Sequence, residues 1–177
     1  AVILGSTAVN EGVNPTYQLQ VTYDNGTSEV VAVTDWAIDN ASAGAINATT
    51  GVLTTADVLT NQPANITASY TANGSTANGS LAITTVYLRV PVSAAIAGDA
   101  TLDEGAVTVN YALNVTFDDS SVVTVPVTDW ASTNAGAGAI GANDGQFVTP
   151  NNVTTPQATV LSASYTENGA TVSDTHN

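Results

Sequence analysis

The feature that most constrains this chain is that it says the same thing twice. "VTDWAIDNASAGAI" begins at Val33, and "VTDWASTNAGAGAI" begins at Val127, ninety-four positions later. A repeat of this length is one structural unit per copy, and each copy must supply its own core. The surrounding sequence repeats in the same order. Tyr17, Leu19, Val21 and Tyr23 alternate with polar residues, and Tyr111, Leu113, Val115 and Phe117 alternate with Ala112, Asn114 and Thr116. Period-two alternation predicts half-buried antiparallel strands. Each runs into a polar turn, "DNGTS" at Asp24 or "DDSS" at Asp118, and then into a second strand ending in "VTDW". Asn25-Gly26 is a strong hairpin signal, because both residues tolerate positive φ. Pro126 has no N–H for a ladder, so its strand is expected at an edge or at a bulge.

Downstream, "GVLTT" at Gly51 matches "GQFVT" at Gly145, and "ITASYT" at Ile66 matches "LSASYT" at Leu161. Upstream, "NEG" at Asn10 matches "DEG" at Asp103. Short strands separated by turn residues over about 90 residues predict an all-β chain. They form two tandem immunoglobulin-like β-sandwich domains, 1–92 and 93–177. Composition agrees: Val, Thr, Ala, Asn and Gly dominate, and helix formers are scarce. The order of these motifs resembles the bacterial Ig-like group 2 family over nearly the whole chain, twice. That resemblance implies repeated modules in secreted surface proteins: adhesins, surface-layer or fibre components, and phage virion decorations. It implies no shared active site.

Charge narrows the partners. Formal net charge is −14, because 15 acidic residues face a single basic one, Arg89. Nucleic-acid binding requires a basic surface to displace counterions, and docking on anionic lipid requires the same. No apolar run approaches the ~20 residues that span a bilayer as a helix. With no Cys there is no disulfide or thiolate chemistry, and with no Lys there is no Schiff base. The absence of Met makes Ala1 read as a processed or trimmed start, as in a secreted, extracellular or cell-surface protein.

Trp36 and Trp130 are expected as the hubs of two equivalent cores, with Tyr70 and Tyr165 beside them. Stacking on sugars is the competing role for the two Trp. Asp35 and Asp129 read as strand-end caps, since nothing builds the paired carboxylates of a glycosidase. His176, the only His, lies one residue from the C-terminus, where a frayed end is expected instead of a triad or zinc site. No enzyme and no cofactor are expected. Asp99, Asp103 and Glu104, at the junction of the repeats, are weak candidates for Ca²⁺. Eight sequons begin at Asn25, Asn40, Asn47, Asn65, Asn73, Asn78, Asn114 and Asn152. They are glycosylation candidates, with Asn73 and Asn78 placed in a Gly/Ser loop.

The copies disagree after "SYT". The first continues through "LAITTVYLRVPV", read as a final strand flowing into the second repeat. The second stops at "SYTENGATVSDTHN", so its last strand reads as missing. Two explanations stand: the sequence ends inside a longer array, or a neighbouring copy donates the strand. Ala1, Val2, Ile3 and Leu4 are candidate donors, although Ala1–Gly5 aligns with Ala94–Gly98 and so also reads as the first domain's own opening strand. The leading expectation is a self-associating subunit of an extracellular filament, polymerising head to tail by strand complementation. The alternatives are a fragment of a multi-repeat adhesin or surface-layer protein that binds glycans or another cell surface, and a virion decoration or tail module. Trypsin has one site, after Arg89. Slow cleavage in a time course means that Arg89 is held by structure, and fast cleavage means a loose linker.

Overall fold

The computed structural model describes all 177 residues, Ala1–Asn177, and every regular element in it is a β-strand. The chain divides into two compact units, Ala1–Leu88 and Arg89–Asn177. Unit 1 contains β1 (Val2–Leu4), β2 (Ala8–Asn10), β3 (Gln18–Thr22), β4 (Ser28–Val31) and β5 (Ala37–Ile38). It continues with β6 (Gly44–Ile46), β7 (Leu53–Thr55), β8 (Gln62–Ala72) and β9 (Ser75–Val86). Unit 2 contains β10 (Pro91–Ala97), β11 (Thr108–Asn110), β12 (Ala112–Phe117), β13 (Val122–Val125) and β14 (Ala131–Ser132). It ends with β15 (Ala139–Ile140), β16 (Gln146–Val148), β17 (Leu161–Glu167) and β18 (Ala170–His176).

Both units are immunoglobulin-like β-sandwiches. In unit 1 the sheet β1-β3-β4 lies over the sheet β2-β9-β8-β5. Ile3, Leu19 and Val21 from the first meet Ile66, Ala68 and Ile83 from the second, with Trp36 and Leu53 between them. Unit 2 repeats this with β10-β12-β13 over β14-β17-β18. Its core joins Ile96, Leu113, Val115 and Phe117 to Leu161 and Ala163, around Trp130 and Phe147. The alternating residues are the inward ones, since successive strand side chains point to opposite faces. β13 is an edge strand and stops at Val125, so Pro126 interrupts no ladder.

Two features depart from the sequence reading. First, a final strand is present in unit 2. β17 and β18 pair antiparallel from Leu161↔His176 to Glu167↔Ala170, around the turn Asn168-Gly169. In unit 1 the turn is Asn73-Gly74, the first of the two Asn-Gly pairs in "NGSTANGS". The second pair, Asn78-Gly79, lies inside β9, so Asn78 is a strand residue opposite Ser69 and not part of a loop. Gly79 cannot carry a side chain there, because a Cβ would sit 2.6 Å from the Leu19 methyl. Second, "LAITTVYLRVPV" is not one continuous strand. β9 ends at Val86 and β10 begins at Pro91. Between them Arg89 is outside any strand yet held: its guanidinium lies 3.8 Å over the Phe117 ring and 3.1 Å from Glu167.

Both tryptophans are 6 % exposed, and each packs on the glycine that opens the following turn-strand. Gly145 has φ +65°, and a Cβ on it would meet the Tyr111 carbonyl at 2.6 Å and the Trp130 ring at 3.0 Å. Gly51 repeats this against Tyr17 and Trp36. Gly169, with φ +82°, has nothing within 4 Å. Gly145→Ala is therefore expected to destabilise unit 2 by about 2–4 kcal/mol, adding overpacking to backbone strain. Gly169→Ala should cost about 1–2 kcal/mol, from strain alone. Urea unfolding of the two variants, followed by Trp fluorescence, measures the difference.

Candidate functional site

Trp36 and Trp130 are core residues, so neither presents a ring face for stacking on sugars. Tyr70 and Tyr165 are half-buried against the two cores. The more deeply buried tyrosines are Tyr17 and Tyr111. Their hydroxyls donate to the Ser6 carbonyl at 2.8 Å and the Asp99 carbonyl at 2.6 Å. Asp35 accepts hydrogen bonds from the Ser69 N–H and hydroxyl, and Asp129 accepts the same pair from Ser164. The aspartate of each "VTDW" thus clamps the serine of each "ASYT" strand. Among the sequons, the amide nitrogens of Asn40 and Asn65 already donate to the Pro63 carbonyl and to Asp39. Asn25, Asn47 and Asn114 use their side-chain carbonyls locally. Asn73 and Asn152 are exposed, in the β8–β9 turn and in a loop. Val2, Ile3 and Leu4 form β1 and pair with β3, leaving Ile3 only 3 % exposed in the unit 1 core, while Ala1 precedes the strand.

Unit 2 carries a groove of about 610 Å³. It is lined by Asp99–Glu104 and Pro156–Leu161, with Tyr111, Ala137, Phe147 and His176 among the other lining residues. His176 is half-buried as the last residue of β18, its ring lies 5.7 Å from the Tyr111 ring, and its buried Nε2 has no hydrogen-bond partner. It is not a frayed end. Asp99, Asp103 and Glu104 all line this groove, but no group of three or more acidic or His residues is positioned to hold a metal ion. Glu104 instead accepts the Val153 N–H at 2.6 Å.

Unit 1 explains the groove. There β9 continues past Leu81, the counterpart of His176, and Ala82–Val86 lies between two backbones. On one side it pairs antiparallel with Gln62–Asn65, and on the other Thr84–Val86 pairs parallel with β2. Ile83 and Thr85 fill the interior at 3 % and 0 % exposed. In unit 2 the counterparts of Gln62–Asn65 are Gln157–Val160, and those of Ala8–Asn10 are Thr101–Asp103. Neither is a strand. Both segments line the groove. Val9, buried in unit 1, corresponds to half-exposed Leu102.

The unit 1 filler is held by polar groups that unit 2 repeats. The Thr84 N–H donates to the Thr7 carbonyl (2.8 Å), and the Val86 carbonyl accepts the Glu11 N–H (3.0 Å). The Thr85 hydroxyl donates to the Ala43 carbonyl (2.7 Å). The Glu11 carboxylate bridges Val58 N–H (2.8 Å) and Leu88 N–H (2.7 Å). The corresponding groups in unit 2 are the Ala100 carbonyl, the Glu104 N–H, the Ala137 carbonyl and the Glu104 carboxylate. The "NEG" glutamate, Glu11, is thus a backbone clamp, and Glu104 of "DEG" holds the Val153 N–H as Glu11 holds that of Val58. Its signal was the recurrence of the glutamate itself, together with Val58 and Val153 at similar distances downstream, 47 and 49 residues.

No protein-family model and no curated protein matches the chain.

The Ser69 hydroxyl, first, and its N–H hold the Asp35 carboxyl below the usual Asp range, against a smaller desolvation effect. A depressed carboxylate contributes stability that is present above the unfolded pKa of about 3.9 and is lost as pH falls through the lower folded value. Ser69→Ala should therefore destabilise unit 1 at neutral pH, by roughly 1 kcal/mol or less for so exposed a group. The gap from the parent should close as pH falls below the ordinary Asp range. Denaturation at pH 7 and pH 2.5 measures the gap, and an NMR titration should show the Asp35 pKa moving up.

Proposed function

We propose that this protein is a non-enzymatic structural subunit of an extracellular filament or surface fibre, and that subunits associate by sharing β-strands. The observation that carries this reading is the unit 2 groove, lined by Thr101–Asp103 and Gln157–Val160, whose unit 1 counterparts flank Ala82–Val86 of β9. An unpaired strand edge is a template for pairing with another chain. A contact of this kind, repeated head to tail without closing, produces a filament. The acidic, nearly Lys- and Arg-free composition suits material that must persist outside the cell, since it offers a trypsin-like protease one site. The packing of both Trp and the use of both "VTDW" aspartates as clamps support a scaffold role over catalysis. Donation by Ala1–Leu4 requires β1 to leave β3 and Ile3 to leave its core, so assembly through that segment would proceed by exchange of β1.

Sedimentation and negative-stain microscopy of the purified chain across a concentration series test this. Filaments or open-ended oligomers are expected. A chain that stays monomeric at every concentration, with unit 2 folded, removes the proposal.

A further inference from the structure

The geometry points to a specific occupant for the unit 2 groove: an uncharged extended strand carrying a β-branched apolar residue and a Thr two positions later, as in Ile83–Leu88 of unit 1. Its role in assembly rests on the strand-sharing reading, but its recognition rests on the internal repeat alone.

Unit 1 displays the solution to the same cavity. Ile83 and Thr85 point inward, and Thr84 and Val86 point away. The direction is set on both sides: antiparallel to Gln62–Asn65 and parallel to Ala8–Asn10. Transferred to unit 2, the incoming strand runs antiparallel to Gln157–Val160 and parallel to Thr101–Asp103, leading away from His176. The first apolar residue enters beside Leu161 and Leu102. The Thr hydroxyl reaches the Ala137 carbonyl. That carbonyl has a particular need for it. In unit 1 the Ala43 carbonyl also accepts the Ala56 N–H at 3.2 Å, whereas the residue corresponding to Ala56 is Pro150, which has no N–H.

Glu104 is already oriented. One carboxylate oxygen is held by Val153 N–H, as Glu11 is held by Val58 N–H, and the other corresponds to the Glu11 oxygen that receives Leu88 N–H. A charged acceptor for a strand N–H is among the stronger hydrogen bonds available. The unpartnered Nε2 of His176 is a further polar group in the wall. One anchor does not transfer: Asn61, which accepts Tyr87 N–H at 2.9 Å, corresponds to Pro156. The fifth residue of the occupant is therefore less constrained than the first and third. Charge restricts the occupant further, because the wall carries Asp99, Asp103 and Glu104 with no Lys or Arg, so acidic strands are repelled.

The test titrates the full chain, ¹⁵N-labelled, with the synthetic peptide Ile-Thr-Thr-Val-Tyr-Leu. The expected result is saturable one-to-one binding, with amide shifts confined to the segments around Glu104, Ala137, Thr159 and His176. Peptides with Asp for Ile, or Val for the second Thr, should bind at least about tenfold more weakly. Because the changes are made in the peptide, protein folding is unaffected. As a complementary arm, appending Ile-Thr-Thr-Val-Tyr-Leu after Asn177 should fill the groove in cis and abolish binding of the free peptide. No saturable binding, binding indifferent to the Asp substitution, or shifts centred on unit 1 would each overturn the inference. So would a groove already filled by Ala1–Leu4 of a second copy, seen as oligomers that dissociate when residues 1–4 are deleted. Peptide binding by a chain that never assembles leaves the inference standing and removes the filament reading. Filaments formed by a chain indifferent to the peptide do the reverse.

Discussion

The pairing of the last two strands in each sandwich governs the rest of the molecule. A buried strand must satisfy its backbone N–H and C=O groups on both sides, and a strand without a neighbour leaves them to solvent. In unit 1, β8 and β9 pair from Gln62↔Thr85 to Ala72↔Ser75, and the far half of β9 has β2 on its other side. In unit 2 the corresponding pairing begins only at Leu161↔His176. The consequences are local and consistent. Gln157–Val160 and Thr101–Asp103 lose strand geometry, Leu102 is more exposed than Val9, and a groove opens over Phe147 and Tyr111.

Around that difference the two sandwiches solve the same packing problem with the same devices. A tryptophan ring rests on a glycine that cannot be replaced without meeting a tyrosine carbonyl. An aspartate at the end of the Trp strand holds a serine on the neighbouring sheet strand. A buried tyrosine lies against Gly5 or Gly98, where a Cβ would approach its ring to 2.3 or 2.2 Å. None of these contacts needs a ligand. At these positions the repetition records packing constraints.

The same logic separates the groove from the rest of the surface. Its polar groups recur in unit 1 with a known strand bound to them, so their purpose can be read without an external comparison. The Glu11 and Glu104 carboxylates show this most directly. Both hold the N–H of a downstream valine, and only in unit 1 does the second oxygen meet another N–H from the same chain, that of Leu88.

Alternation at Tyr17–Tyr23 and Tyr111–Phe117, the Asn-Gly turns and the doubled "VTDW" were enough to determine an all-β sandwich fold and the core position of both tryptophans. Period-two burial and turn chemistry are local, so they are written in contiguous residues. The clamps were half legible. Asp35 and Ser69, or Glu11 and Val58, recur as pairs, but nothing in one dimension says that they touch. The sequence misplaced the final hairpin because "NGSTANGS" holds two turn signals of equal local strength. Only the packing of Gly79 beneath Leu19 makes the second a strand position and the first the turn. The groove belonged entirely to tertiary structure. It is bounded by segments some fifty residues apart, Thr101–Asp103 and Gln157–Val160, whose unit 1 counterparts meet only through the Ala82–Val86 strand.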